Sequence, residues 1–220
     1  MEKQYKLAIF DLDGTILDTL DDLADSVNAV LVKNGYPTHT REAVCGFVGN
    51  GIRLLITRAL PQDMDEQTVD AVLADFKTYY TAHCAEKTAP YAGISQLLAN
   101  LRAAGVLTAV LSNKADFATQ ALCRDYFAGL LDMVAGEREA EGIPKKPAPD
   151  AVFLMMRALG VTAAETVYIG DSEVDVETAR NAGVDAILVS WGFRTKEILL
   201  GAGATTVVDT PDAVFAKIVK

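Results

Sequence analysis

Short, continuous apolar runs that alternate with helical stretches closed by glycine constrain this chain more than any other feature. The runs cover residues 5–10, 106–111, 131–135, 166–169 and 184–189. Their apolar residues are not interleaved with polar ones, as they would be on a half-solvated strand, so each run reads as a strand covered on both faces. The stretches 94–104, 115–126, 150–159 and 174–182 read as helices, and Gly105, Gly160 and Gly183 stand where a helix ends in the left-handed conformation. Strands and helices in this order predict an α/β fold, a doubly wound parallel sheet with helices on both faces.

Residues 17–89 break the rhythm. Leu20, Leu23, Ala24, Val27, Val30 and Leu31 recur at helical spacing, Gly35 can end that helix, and 52–60 and 65–85 read as further helices. The segment predicts an inserted all-helical cap domain, which leaves residues 1–16 and 90–220 for the sheet domain. Ala89-Pro90-Tyr91-Ala92-Gly93, at the return point, joins a rigid residue to a permissive one and reads as a hinge. A chain of 220 residues is the right size for one domain with a sizeable insertion.

Composition removes several classes of function. With 50% hydrophobic and 23% charged residues the chain has the balance of an ordinary globular protein. The longest stretch without charge, 88–101, is broken by Pro90, Gly93 and polar residues and is too short to span a bilayer, so no membrane partner is expected. The first residues lead into an apolar run with no signal-peptide pattern, and a cytoplasmic location is expected. Cys45, Cys84 and Cys123 are odd in number and far apart, as buried thiols are, and His39 and His83 are too few for a histidine-rich zinc site. Any metal must therefore be held by oxygen. A net charge of −10 repels nucleic acid, yet it permits a small phosphate ester in a cleft where a local cation reverses the field.

In an open parallel sheet the ligand site lies beyond the carboxyl ends of the strands. There the first run delivers Asp11, Leu12, Asp13, Gly14 and Thr15, the second Ser112, Asn113 and Lys114, and the fourth Gly170, Asp171, Ser172 and then Asp175. Asp11 and Asp13 are two apart, so on a chain that is still extended their side chains leave on the same side. Two ionised carboxylates about 4 Å apart repel by roughly 4 kcal/mol at an effective dielectric near 20. With Asp171 added, such a cluster needs a bound cation or a proton. Mg²⁺ is a hard cation that takes one or two carboxylates and leaves positions for water and a phosphate oxygen. Each group alone also has an ordinary role, since aspartates beside glycine cap helices and turns and Ser112-Asn113 can start a helix. Asp18, Asp21 and Asp22 read as first-turn acids that complement a helix dipole.

FDLDGT at 10–15 resembles the first motif of the haloacid dehalogenase superfamily of phosphotransferases. Ser112-Asn113 resembles the second motif, Lys146-Pro147 within KPAPD the third, and GDSEVD at 170–175 the fourth, all in the right order. The resemblance implies a Rossmann-like core with a helical cap and a Mg²⁺-dependent phosphatase that works through an aspartyl phosphate. It implies Asp11 as nucleophile, Asp13 as general acid and base, and Ser112, Asn113 and Lys146 as the groups that bind the phosphoryl oxygens. Asp11, Asp171 and the backbone carbonyl of Asp13 would hold the metal, and Asp175 would orient either a metal-bound water or Lys146.

VGNG at 48–51, the SNK triplet at 112–114 and VSWGF at 189–193 resemble the phosphoglycolate phosphatases and favour 2-phosphoglycolate, a small phosphorylated metabolite, as substrate. A phosphomutase, an inorganic pyrophosphatase, a broad sugar-phosphate phosphatase and a non-catalytic binding module on the same fold stay open, as do monomer and homodimer. Arg53, close to VGNG, reads as an exposed helical arginine, and the cysteines and histidines receive no functional role.

Overall fold

The computed structural model describes residues 5–219. They fall into two compact units, one formed by 5–17 and 90–219, the other by 18–89. In chain order, β1 (Leu7–Phe10) opens the first unit, and the two-residue strands β2 (Leu17–Asp18) and β3 (Ala89–Pro90) pair with each other where the chain passes between units. The second unit carries α1 (Leu20–Lys33), α2 (Arg41–Phe47), α3 (Ile52–Ala59) and α4 (Glu66–His83). The first unit resumes with α5 (Ile94–Ala103), β4 (Leu107–Ala115), α6 (Asp116–Phe127), β5 (Met133–Glu137), α7 (Asp150–Leu159), β6 (Thr166–Gly170) and α8 (Glu173–Ala182). It ends with β7 (Asp185–Val189), α9 (Lys196–Gly201), β8 (Val207–Val208) and α10 (Pro211–Ile218).

Six strands make one parallel sheet in the order β5-β4-β1-β6-β7-β8, so the fold is the doubly wound α/β architecture. β1 lies at its centre, with Ile9 opposite Ala109 on one side and Tyr168 on the other. All four of its residues are buried because each face of the strand meets a different layer. Ala8 and Phe10 pack with Ile94, Leu98 and Leu101 of α5, Leu122 and Phe127 of α6, and Val214 and Ile218 of α10. Leu7 and Ile9 pack with Val152, Met155 and Met156 of α7 and Ala179 and Ala182 of α8. Each large side chain buried this way contributes about 1.5–3 kcal/mol, which explains the unbroken apolar run in the sequence.

The glycines end helices as expected: Gly160 after α7 and Gly183 after α8 adopt φ of 68° and 67°, a region a Cβ disfavours. The second unit has a core of its own, in which Val27 and Leu31 of α1, Val44 of α2, Ile56 of α3 and Phe76 of α4 are fully enclosed. Among the described residues no helix is long and apolar enough to cross a membrane.

The structure departs from the sequence reading in three places. β4 does not stop at Leu111 but runs to Ala115, taking Ser112, Asn113 and Lys114 into the strand, with an irregular register between Leu111 and Ala115. α2 and the C-terminal elements α9, β8 and α10 had no counterpart among the predicted elements; β8 is two residues long, too short to make a run. Thirdly, the chain bends at Leu12, so the premise of an extended Asp11–Asp13 segment fails: the Leu12 carbonyl accepts from the N–H groups of Thr15, Ile16 and Leu17 at 3.0–3.3 Å.

Candidate active site

β4, β1 and β6 are neighbours, so their carboxyl ends meet at one edge beside the central strand, where the direction of winding reverses. Asp11 is the first residue beyond β1 and Asp171 the first beyond β6; Asp175 lies in the first turn of α8. Ligand oxygens of Asp11, Asp171 and Asp175 all lie within 4.8 Å of one another, and all three residues are buried. Lys146 is buried with them. Its Nζ lies 2.8 Å from Asp11 Oδ1 and 2.8 Å from Asp175 Oδ1, and 5.7 Å from the centre of the Tyr168 ring.

Glycines let these groups come so close. A Cβ on Gly14 would stand 2.3 Å from Asp171 Oδ2, one on Gly192 2.4 Å from the same oxygen, and one on Gly170 2.3 Å from Asp175 Cγ. Asp171 is held by the Thr15 hydroxyl, which donates to Oδ1 at 3.2 Å, and by the Phe193 N–H, which donates to Oδ2 at 2.6 Å. The loop bearing Phe193 is itself tied back, with the Trp191 indole N–H donating to the Thr15 carbonyl at 3.0 Å and Arg194 pairing with Glu173.

Asp175 is spent inside the protein. Its Oδ2 accepts from the N–H groups of Asp171 and Ser172 and from the Ser172 hydroxyl, which caps α8, while Oδ1 takes Lys146. Of the two tasks foreseen for it, the structure shows it holding Lys146. Asp11 is only half held. Oδ1 accepts from the Leu12 N–H at 2.7 Å and from Lys146, whereas Oδ2 accepts no hydrogen bond among the described residues.

The other residues singled out from the sequence are distributed less simply. Asp13 does not join the acid cluster; its Oδ1 pairs with Lys114 Nζ at 2.9 Å, so the two aspartates of the first motif face different lysines. Asn113 clasps the backbone of Lys146, its Nδ2 donating to the Lys146 carbonyl at 3.0 Å and its Oδ1 accepting from the Lys146 N–H at 2.8 Å. The side-chain amide proposed as a phosphate donor thus fixes the position of the lysine. Ser112 is buried, and its hydroxyl accepts from the Lys114 N–H at 3.2 Å. In the helical unit Arg53 is exposed and pairs with Asp70 and Glu66, in keeping with an ordinary surface arginine.

Four carboxylates here share two buried lysines, so full ionisation leaves two negative charges in excess. Burial, reinforced by the charges of Asp175 and Asp13 and opposed by Lys146, pushes Asp11 up to about 7. Burial and the charges of Asp175 and Asp11 hold Asp171 well above the carboxylate range, against the donors Phe193 and Thr15. For Lys146 burial disfavours the ammonium, but Asp11 and Asp175 outweigh it and keep it charged. An all-oxygen donor set with surplus negative charge fits a hard divalent cation, which would relieve both carboxylates at once.

Sequence reasoning did not find the roles of Lys114, Phe193, Gly192 and Tyr168. VSWGF was noticed only as a resemblance, because a backbone N–H donor leaves no trace in side-chain chemistry.

Comparison with known proteins agrees with this geometry. The family model for haloacid dehalogenase-like hydrolases matches residues 8–189. A phosphoglycolate phosphatase of Pseudomonas syringae pv. tomato is 34% identical over 215 residues, covering 94% of this chain and 77% of its own. One from Rhodospirillum rubrum is 32% identical over 213 residues, 93% of this chain and 87% of its own. Among solved structures, a provisionally named phosphoglycolate phosphatase of Lactobacillus delbrueckii subsp. bulgaricus superposes with a TM-score of 0.94 at 40% identity, over 98% of this chain and 99% of that one. CbbY of Rhodobacter sphaeroides, solved in complex with phosphate, gives 0.80 at 25% identity, over 98% and 99%. A buried Asp–Lys–Asp cluster at the switch point of a doubly wound sheet, set in a sequence this similar, places the chain in the haloacid dehalogenase-like hydrolase family, as a phosphatase.

Proposed function

We propose that the protein hydrolyses 2-phosphoglycolate, a small phosphomonoester, to glycolate and inorganic phosphate through an aspartyl phosphate, with Mg²⁺ as cofactor. The observation that carries this is the asymmetry of Asp11: one oxygen is anchored by Leu12 and Lys146, the other accepts no hydrogen bond among the described residues, and a carboxylate oxygen of Asp171 lies within 4.8 Å of the Asp11 carboxylate. The names of the relatives support the substrate, and the phosphate held by the CbbY structure supports a phosphoryl site on this scaffold.

In the first step Asp11 Oδ2 attacks phosphorus, the bond from phosphorus to the ester oxygen breaks, and Asp13 gives its proton to that oxygen, releasing the alcohol. In the second, water attacks the phosphorus of the aspartyl phosphate, Asp13 takes a proton from the water, and the bond to Asp11 breaks to release phosphate. Lys146 supplies a fixed positive charge beside the attacking carboxylate throughout, and Asn113 and Asp175 keep it there. Asp11, Asp171 and the carbonyl of Asp13 would hold Mg²⁺, which when bound neutralises the carboxylates and the charge on the phosphoryl oxygens. Ser112 and backbone N–H groups at the end of β4 are the remaining phosphoryl donors in this proposal. A cytoplasmic setting and a diffusing phosphorylated metabolite as partner complete it.

The test is phosphate release from a panel of phosphate esters with and without Mg²⁺, together with mass spectrometry of acid-quenched enzyme. Turnover that needs Mg²⁺ and a phosphorylated peptide containing Asp11 are expected. Turnover with no label on that peptide, or no turnover on any ester, overturns the mechanism.

A further inference from the structure

We propose that Tyr168 is a positioning residue of the phosphatase chemistry: its ring is the seat that keeps the Lys146 ammonium in place while Asp11 carries the phosphoryl group. This rests on the mechanism above, in which Asp11 is the nucleophile and Lys146 its fixed cation.

Tyr168 lies in the middle of β6, in register with Ile9 of β1, and is fully buried. Its ring belongs to the apolar layer of Leu7, Ile9, Leu111, Val152 and Met155, where an unpaired hydroxyl is costly. The hydroxyl donates to the Leu111 carbonyl at 3.3 Å, from one strand beside β1 to the other. At Leu111 the regular register of β4 with β5 ends, just before Ser112 and Asn113. The bond therefore fixes the ring against the strand that carries Asn113, whose amide holds the Lys146 backbone. Burial pushes the phenol well above its usual range, against Lys146 and with Asp175 and Asp11, so the hydroxyl stays protonated and keeps donating.

Lys146 Nζ stands over this ring, 5.7 Å from its centre, with Asp11 Oδ1 and Asp175 Oδ1 each at 2.8 Å. A cation within about 6 Å of a ring face is attracted by the ring quadrupole, most strongly where water is excluded. These three contacts respond differently to the reaction. Attack on phosphorus turns Asp11 from a carboxylate into an acyl phosphate, whose anchored oxygen no longer carries a full share of charge. The pull of Asp11 on the lysine then weakens at the stage where the phosphoryl oxygens need the cation. Asp175 keeps its charge and, unopposed, would draw the ammonium to itself. The ring is unaltered by the reaction and resists that displacement, so its contribution grows from the resting enzyme to the transition state.

The experiment measures kcat and KM for 2-phosphoglycolate in the wild type, Tyr168→Phe and Tyr168→Leu, each also combined with Lys146→Met. The Lys146 Hε protons are followed by NMR in the wild type and in Asp11→Asn, where a neutral amide stands in for the esterified carboxylate. Tyr168→Leu should lower kcat by about 30-fold, the worth of a water-excluded cation–ring contact, with KM within about twofold. Tyr168→Phe, which keeps the ring, should retain most of the activity. In the Lys146→Met background Tyr168→Leu should cost less than about twofold. The Hε protons should be shifted upfield by the ring current in the wild type and stay so in Asp11→Asn. Tyr168→Phe as impaired as Tyr168→Leu, a loss confined to KM, or the same loss in the wild-type and Lys146→Met backgrounds would show that Tyr168 only packs the core, and would overturn the proposal. So would Hε protons that carry no ring shift or lose it in Asp11→Asn, a result that needs no variant of Tyr168 to fold. A wild type inert toward every ester overturns the underlying mechanism instead, and the ring shift tells the two failures apart.

Discussion

Asp22 of α1 and Asp11 beyond β1 are both buried carboxylates, 3% and 8% exposed, one in each unit. The helical unit satisfies Asp22 completely. Its oxygens accept from the N–H of Lys87, the N–H of Thr88 and the Thr88 hydroxyl at 2.7–3.1 Å, so it fastens the segment that leads back toward β3. The sheet unit leaves one oxygen of Asp11 open and sets two more carboxylates beside it. A buried acid is structural where backbone donors complete it and chemical where its environment is left unbalanced. The sequence sets Asp11 apart by its place in FDLDGT at a strand end, but nothing in it marks Asp22 as a buried acid.

The largest effect expected from this contrast is Asp11→Asn. It should lower kcat by at least about 10³-fold, because a carboxamide is no nucleophile toward phosphorus, while urea unfolding shows no loss of stability. pH sharpens the point. In the metal-free protein Asp11 holds its proton up to about 7, against 3.8 for an ordinary aspartate. Between those values the folded state binds more proton than the unfolded one, so this group's contribution to stability is present at low pH and is lost as pH rises through 7. The unfolding free energy of Asp11→Asn minus that of the wild type should therefore grow from pH 4 to pH 7. A difference that stays flat would mean that Asp11 is not destabilised by its surroundings.

Asp22→Ala should do the opposite. It strands buried donors on Lys87 and Thr88 and is expected to cost about 2–4 kcal/mol of stability in urea unfolding. A cost below about 0.5 kcal/mol, the size of an ordinary surface substitution, would place Asp22 among the dipole-complementing acids it resembles in sequence.

Gly192→Ala sharpens the comparison from the chemical side alone. Its added methyl would meet Asp171 Cβ and Oδ2 and the Gly14 carbonyl at 2.4 Å, so the Asp171 carboxylate must shift. Displacing a group that supports a metal ligand typically costs about 10–100-fold in metal affinity, and a Mg²⁺ titration followed by the fluorescence of Trp191 should show it. Unchanged affinity would remove the Trp191–Phe193 loop from the site.

What the sequence revealed follows from the physics of each element. β1, β6 and β7 were legible because burial on both faces demands continuous apolar residues, and the helices were bounded by glycines whose φ is positive in the fold. Asp11 and Asp171 were singled out because strand ends in a parallel sheet converge, and Lys146, in the loop before α7, only because Lys146-Pro147 resembles a family motif. The direction of Asp13 was missed because period-two reasoning fails where the chain bends at Leu12, between the two aspartates, and Lys114 takes the Asp13 carboxylate. Asp22 was assigned to the helix dipole because its partners lie 65 and 66 residues away, a separation that no local pattern records.

The smallest effect expected is at Cys123 of α6, which lies among ionisable groups of the sheet unit without sharing their chemistry. Burial and then the charge of Asp13 push its thiol up to about 12, with Lys114 opposing. At pH 8 about one thiol in 10⁴ is then ionised, and only the thiolate reacts. Iodoacetamide should leave Cys123 unmodified in the folded protein and label it in urea, and Cys123→Ala should leave kcat/KM unchanged. Rapid labelling of the folded chain that also abolished turnover would mean that solvent reaches the Asp13–Lys114 pair from beneath. The sheet unit would then lack the closed interior on which the unbalanced charge of Asp11 depends, and its contrast with Asp22 would have to rest on hydrogen bonding alone.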